Sequence, residues 1–174
     1  AGQGTIGLEI LEQLPEADQV VVPIGGGGLI SGVAYAIKYL KPECRVIGVQ
    51  AAGAASMYTS RQAGEVLTLP SVATIADGIA VKRPGDLTFA LCQRYVDDIV
   101  TVRDDEIAAA ILALLEDQKT VAEGAGAVSV AAVMFGKVDL VGKNTVCVVS
   151  GGNVDVTTLS RIITKGLSKT GRIT

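Results

Sequence analysis

The stretch Gln19 to Gly32, QVVVPIGGGGLISG, decides the fold. Its first part, Gln19 to Ile24, is dominated by β-branched apolar residues without in-out alternation. That pattern belongs to a strand covered on both faces, as in a parallel sheet. Four glycines follow, Gly25 to Gly28, and then an apolar run at helical spacing over Leu29 to Leu40. Four residues without side chains let several backbone N–H groups converge on one anion, and the helix start behind them adds the positive end of its dipole. A phosphate group fits that arrangement. A tight strand-to-helix turn is the plainer alternative, although one or two glycines suffice for it.

Outward from this unit the same rhythm repeats. Arg45 to Gln50, Asp98 to Val102 and Asn144 to Ser150 read as further buried strands. Helical patterns cover Thr5 to Leu14, Ala54 to Gln62, Leu87 to Tyr95, Asp104 to Glu116, Gly126 to Phe135 and Val156 to Leu167. Asp104, Asp105 and Glu106 sit where a helix start favours acids. Alternation of β and α with short connections predicts an α/β domain, a three-layer open and mostly parallel sheet with helices on both faces and right-handed crossovers. No internal repeat, linker or low-complexity segment interrupts it.

Composition narrows the function. The 174 residues are 49% hydrophobic and 19% charged, enough to bury the core of one domain. A net charge of −3 without a basic run argues against nucleic-acid and anionic-membrane surfaces, and 3% aromatics against base stacking. The histidine count is zero, which removes Ser-His-Asp and Cys-His catalysis and imidazole metal ligation from this chain. Cys44, Cys92 and Cys147 lack metal-type spacing and lie among apolar residues, as buried reduced thiols of a cytoplasmic protein would. Val20 to Ile37 is uncharged, but Pro23 and the glycines make it a strand, turn and helix, not a membrane span. The chain opens Ala1-Gly2-Gln3 without methionine, so a piece of a longer protein is expected.

A nucleotide is disfavoured at the glycine turn. The dinucleotide fingerprint needs G-x-G-x-x-G and an acid at the end of the next strand, whereas Ser31 stands at the third glycine position and Gln50 ends that strand. Two further glycine clusters accompany the first. Ser150-Gly151-Gly152-Asn153 follows the last strand, so two glycine turns at strand ends aim at one crevice. Ser150 either presents its hydroxyl there or closes a turn before the Val156 helix. Glu123-Gly124-Ala125-Gly126-Ala127 allows a helix start to approach something closely, another helix included. Glu123, a lone acid in an apolar run, is either a helix-start anion or a site carboxylate.

Four segments occur in one order: PIGGGGLISG (Pro23 to Gly32), TIADGIAVKRPG (Thr74 to Gly85), EGAGAV (Glu123 to Val128) and SGGNVD (Ser150 to Asp155). With the opening GQGTIGLEIL, Gly2 to Leu11, they closely resemble the serine/threonine dehydratase branch of the fold type II pyridoxal-phosphate enzymes, whose fold is tryptophan-synthase-β-like. The resemblance covers nearly the whole chain. It implies pyridoxal 5'-phosphate as cofactor. Gly25, Gly26, Gly27, Gly28 and Leu29 match the loop whose amides hold the cofactor phosphate. Ser150, with Gly151 beside it, matches the residue that hydrogen-bonds the pyridine nitrogen. Gly78 lies in the Asp77 to Ala80 loop that passes near the imine face, and Glu123 matches a carboxylate beside the ring. A serine hydroxyl does not stabilise a protonated ring nitrogen as a carboxylate would, so the ring is a weaker electron sink, which suits β-elimination.

The activity so implied is elimination of the β-hydroxyl of L-threonine or L-serine, giving 2-oxobutanoate or pyruvate and ammonia, by a cytoplasmic homo-oligomer without nucleic-acid or membrane partners. The family's Schiff-base lysine motif, S-F-K-x-R-G-A, and its substrate loop, S-x-G-N-H, are absent, so no catalytic residue is expected in this chain. Both lie upstream in the family, in an N-terminal portion of the same protein. Residues 1–168 correspond to the C-terminal portion of the catalytic domain, and residues 169–174 to a tail toward a possible regulatory domain. One departure concerns metals. Racemase relatives carry acids after the second strand that bind a divalent cation, whereas Gln50 to Ser56 reads QAAGAAS. Hard cations want carboxylates, so no metal site is expected and a serine or aspartate racemase is the weaker reading. A non-catalytic folding or assembly unit is the alternative from another class.

Overall fold

The computed structural model describes residues 2–172. In chain order the elements are α1 (Gly4–Gln13), β1 (Gln19–Pro23), α2 (Gly28–Leu40), β2 (Arg45–Ala51), α3 (Ser56–Ala63), α4 (Asp86–Tyr95), β3 (Asp98–Val102), α5 (Asp104–Asp117), α6 (Gly124–Met134), β4 (Thr145–Cys147) and α7 (Val156–Lys169). Two short 3₁₀ turns, Ala52–Ala54 and Asp77–Ile79, punctuate the connections. The four strands form one parallel sheet in the order β3-β2-β1-β4.

Burial on both sheet faces follows from the strand period of two. Val20 and Val22 of β1, Val46 of β2 and Ile99 of β3 share one core with Ile30, Val33 and Ile37 of α2 and Cys92 of α4. Val21, Ile47, Val49 and Val102 point the other way, into a core with Ile107 and Ile111 of α5, Val128 of α6 and Ile162 of α7. Each such aliphatic side chain removed from water contributes roughly 1.5–3 kcal/mol. Gly32 joins these layers rather than a dinucleotide: a Cβ on it would lie 2.8 Å from both Gln3 Cβ and the Gly4 nitrogen, so it lets the start of α1 cross α2 closely.

The expected acids at the start of α5 divide their work. Glu106 Oε2 accepts the Arg103 N–H at 2.8 Å, closing the first turn. Asp105 instead receives the Lys169 ammonium of α7 at 2.8 Å. The last strand is shorter than the apolar run predicts. Val148 N–H still donates to the Val21 carbonyl, but the Val148 carbonyl accepts from Ser129 Oγ at 2.7 Å, and the chain leaves the ladder there. Cys44 and Cys92 are buried as expected, whereas Cys147 on this edge strand is only half-buried. Among the described residues, no helix is long and apolar enough to cross a membrane.

Candidate functional site

β2 and β3 extend the sheet on one side of β1, and β4 lies on the other. The strand order therefore reverses at the β1/β4 seam, where open parallel sheets place a ligand crevice beyond their carboxyl ends. A cavity of about 710 Å³ opens there. Its walls bring together residues 25–29 after β1, Gly78 and Ile79 of the 3₁₀ turn, Glu123 and Ala125 at the start of α6, and residues 148–150 after β4. Segments more than a hundred residues apart in sequence thus share one hollow.

The glycine turn exposes donors and secures its acceptors. The Gly26 carbonyl accepts from Thr88 Oγ1 at 2.5 Å and from the Gly85 N–H at 3.4 Å. The Gly27 carbonyl accepts from Ser31 Oγ at 2.6 Å and from the Ser31 N–H at 3.1 Å. The N–H groups of residues 25–29 donate to nothing among the described residues. Gly27 has φ +94°, a left-handed conformation that turns the chain into α2. A Cβ on Gly26 or Gly28 would meet no atom within 4 Å, so the chain leaves open space there.

The opposite wall depends on close approach of small residues. A Cβ on Gly124 would lie 2.5 Å from the Ile75 carbonyl oxygen, and one on Gly126 would collide with the Gly151 carbonyl. The third glycine cluster therefore seats α6 against two loops rather than against another helix. Glu123 precedes α6, yet its carboxylate makes no capping bond. It stands instead where a Cβ on Gly78 would be 3.5 Å from Oε1 and a Cβ on Gly151 would overlap it. Glu123 therefore lines the cavity and does not cap the helix. Ser150 is exposed on the cavity wall and does not cap α7, whose first turn is held by the Asp155 carboxylate accepting the Thr158 N–H at 2.9 Å. Gly151 lies off the wall, its carbonyl accepting the Glu123 N–H at 3.1 Å.

Several residues that shape the site carry no motif. Asp104 accepts Thr74 Oγ1 at 2.5 Å and the Ile75 N–H at 3.2 Å, fixing the loop that delivers Gly78. Gln50, fully buried, donates through Nε2 to the carbonyls of Ile24 and Ala54, both at 3.3 Å, and accepts the Tyr58 N–H at 2.8 Å. The position at which a dinucleotide site holds its acid is here a neutral cross-link. No group of three or more cysteine, aspartate or glutamate side chains with metal-site geometry occurs among the described residues. Burial pushes the thiols of Cys92 and Cys147 up to about 11. Both stay protonated at neutral pH.

Comparison with known proteins places this geometry. The chain is 59% identical over 172 residues to the L-threonine ammonia-lyase of Thermotoga maritima, covering 99% of this chain and 43% of that protein. It is 50% identical over 164 residues to the catabolic L-threonine dehydratase of Escherichia coli strain K12, covering 93% of this chain and 50% of that protein. The chain thus spans half or less of the length of these curated relatives. Among solved structures, the processed form of threonine deaminase isoform 2 from Solanum lycopersicum superposes with a TM-score of 0.87 at 41% identity, over 94% of this chain and 46% of that one. Maize serine racemase gives 0.85 at 42% identity, over 94% and 53%. Residues 1–151 match the family described as pyridoxal-phosphate dependent enzymes, and the chain belongs to that family.

Proposed function

We propose that these residues form the phosphate-binding half of an ammonia-lyase that converts L-threonine, or L-serine, into the 2-oxo acid and ammonia. The observation that carries the reading is the row of N–H groups at residues 25–29 that donate to nothing among the described residues and line a cavity of about 710 Å³, where a Cβ on Gly26 or Gly28 would meet no atom within 4 Å. A backbone nest at a helix start has the donors and the positive field that a phosphate dianion requires. The residues fit the family's cofactor. Residues 25–29 would hold its phosphate, Ser150 would meet its ring nitrogen, and Gly78 and Glu123 would line the ring.

When bound, pyridoxal phosphate supplies an electron sink for the charge that develops as the substrate's α-hydrogen leaves. The Ser150 hydroxyl, an uncharged partner, would leave the ring nitrogen without the carboxylate that strengthens the sink. This suits rapid expulsion of the β-hydroxyl. Glu123 supplies a carboxylate on the wall opposite the glycine turn, and Gly78 leaves room for a flat ring. Gln50 places an amide where a cation-dependent relative would need acids, which favours the lyase over a racemase. The lysine and the substrate-carboxylate loop would come from an N-terminal portion of the same protein. Residues 1–168 would belong to its catalytic domain and residues 169–174 to the exit toward a further domain. A cytoplasmic location, consistent with three free cysteines among the described residues, and a homo-oligomeric state complete the proposal.

The test uses the full-length protein loaded with pyridoxal phosphate and given L-threonine or L-serine. Release of 2-oxobutanoate or pyruvate with equimolar ammonia is expected. A D-amino acid as the main product, or no turnover of either substrate, would overturn the assignment.

A further inference from the structure

A peptide unit is planar, and in its trans form the C=O of one residue and the N–H of the next point in opposite directions. No cis peptide occurs among the described residues. Whatever grips a carbonyl in the glycine turn therefore also aims the following amide. Three carbonyls here are gripped by side chains. Gln50 Nε2 donates to the Ile24 carbonyl at 3.3 Å, Thr88 Oγ1 to that of Gly26 at 2.5 Å, and Ser31 Oγ to that of Gly27 at 2.6 Å. The amides on the far sides of these peptides belong to Gly25, Gly27 and Gly28. All three line the cavity, whereas Gln50, Thr88 and Ser31 do not. Thr88 and Ser31 border a separate hollow behind the turn.

We infer that Gln50, Ser31 and Thr88 are positioning residues that aim the amides of the glycine turn into the cavity by holding their peptide planes from behind. The inference rests on the reading of this turn as a phosphate cradle. Glycines alone do not provide such aim, since a turn without side chains has many accessible conformations. Thr88 has the largest part. It reaches from α4, 62 residues away, and its single hydroxyl proton serves the 2.5 Å contact to Gly26 ahead of the 3.0 Å contact to the Gly85 carbonyl. Without that proton, the Gly26 carbonyl keeps only the 3.4 Å bond from Gly85, and its plane is free to rotate the Gly27 amide away.

The experiment compares two ligands of the apo form of the full-length protein: pyridoxal phosphate, and pyridoxal, which lacks the phosphate. Thr88→Val keeps the shape and removes the donor, and Thr88→Ser keeps the donor. Thr88→Val is expected to weaken pyridoxal phosphate about tenfold, the effect of one lost hydrogen bond in a shared network, and to leave pyridoxal unchanged. Thr88→Ser should restore most of the loss. Should Thr88→Val fail to fold, Ser31→Ala carries the same comparison, with the same direction expected. Equal weakening of both ligands, or no weakening of either, would overturn the inference. Gly26→Val separates the two levels. If it abolishes the preference for the phosphorylated ligand while Thr88→Val does not, the cradle stands and the aiming role falls. If it leaves that preference intact, the cradle falls, and the inference with it.

Discussion

Gly26 and Gly27 are neighbours with different duties. At Gly27, φ is +94° and a Cβ would come within 2.7 Å of Met57 Cε and 2.9 Å of Thr88 Cβ. Gly27→Ala is expected to destabilise the full-length protein by about 1–3 kcal/mol, measured by urea denaturation. A Cβ on Gly26 would meet nothing within 4 Å among the described residues. Gly26→Ala should keep stability within about 0.5 kcal/mol of the parent, because the new methyl group meets no protein atom. On the proposed reading it should still weaken cofactor binding, because that methyl would enter the space a phosphate would occupy. Equal stability loss in the two variants would refute this division. Ser150 gives a third outcome at this scale. Its hydroxyl has no partner among the described residues, so Ser150→Ala should leave folding and cofactor retention intact. It should lower kcat by up to about tenfold, the loss of one neutral hydrogen bond of roughly 0.5–1.5 kcal/mol. An unchanged kcat would remove Ser150 from the ring nitrogen. That residues 25–28 and Ser150 would meet at one crevice was legible in the sequence, because clusters at strand ends are local patterns. The contacts of Thr88, Gln50 and Asp104 were not. Their partners lie 62, 26 and 30 residues away, and no spacing rule encodes a tertiary hydrogen bond.

The elements were legible to within a few residues, since buried β-branched runs and helical periodicity are properties of contiguous sequence. The exception is β4, where Val148 to Ser150 looks like strand and is drawn out of the ladder by Ser129, a residue of another element. The docking of α7 on α5 was likewise hidden. Gly166 lies so close that a Cβ would be 2.7 Å from the Ala108 carbonyl oxygen, and Lys169, Lys165 and Arg172 reach Asp105, Asp104 and Glu116. Gly166→Ala should therefore loosen this pair by about 1–3 kcal/mol, seen as faster amide exchange along α7 with α2 unaffected. The charges set a pH dependence. The Lys169 ammonium beside Asp105 holds its carboxyl well below the usual carboxylate range, with Arg103 adding to the effect. A carboxyl depressed in the folded state stabilises above its unfolded pKa of about 3.9, and that contribution is lost as pH falls through the folded value. Protection of α7 should accordingly hold down to about pH 4 and decline below it. Lys169→Met should flatten that decline while costing about 0.5–1 kcal/mol at neutral pH, as expected of a partly exposed pair.

At the scale of the whole molecule, the parallel sheet with two cores was readable from four apolar strands alternating with helices. Its order was not, because the choice of β4 as the neighbour of β1 depends on packing between α6 and the sheet. No lysine lines the cavity. Borohydride reduction of this 174-residue chain with pyridoxal phosphate is thus expected to scatter adducts over surface lysines, as peptide mapping would reveal. A single stoichiometric adduct would refute that expectation. The β1/β4 seam also bears on time. β1 meets β2 in the register Gln19 with Arg45, a short excursion of chain, whereas its partner on the other side, Thr145, is 126 residues away. Closing the longer loop costs more entropy and is not rewarded until α6 has packed, so the seam should join after β1, β2 and β3 have paired. In pulse-labelled hydrogen exchange the Val148 amide, bonded to Val21, should gain protection after those of β2, and the reverse order would exclude this sequence of events. The crevice is then the last part of the described fold to form. A chain still folding offers the cofactor nothing to enter, and uptake of the cofactor serves as a clock for the final step of assembly.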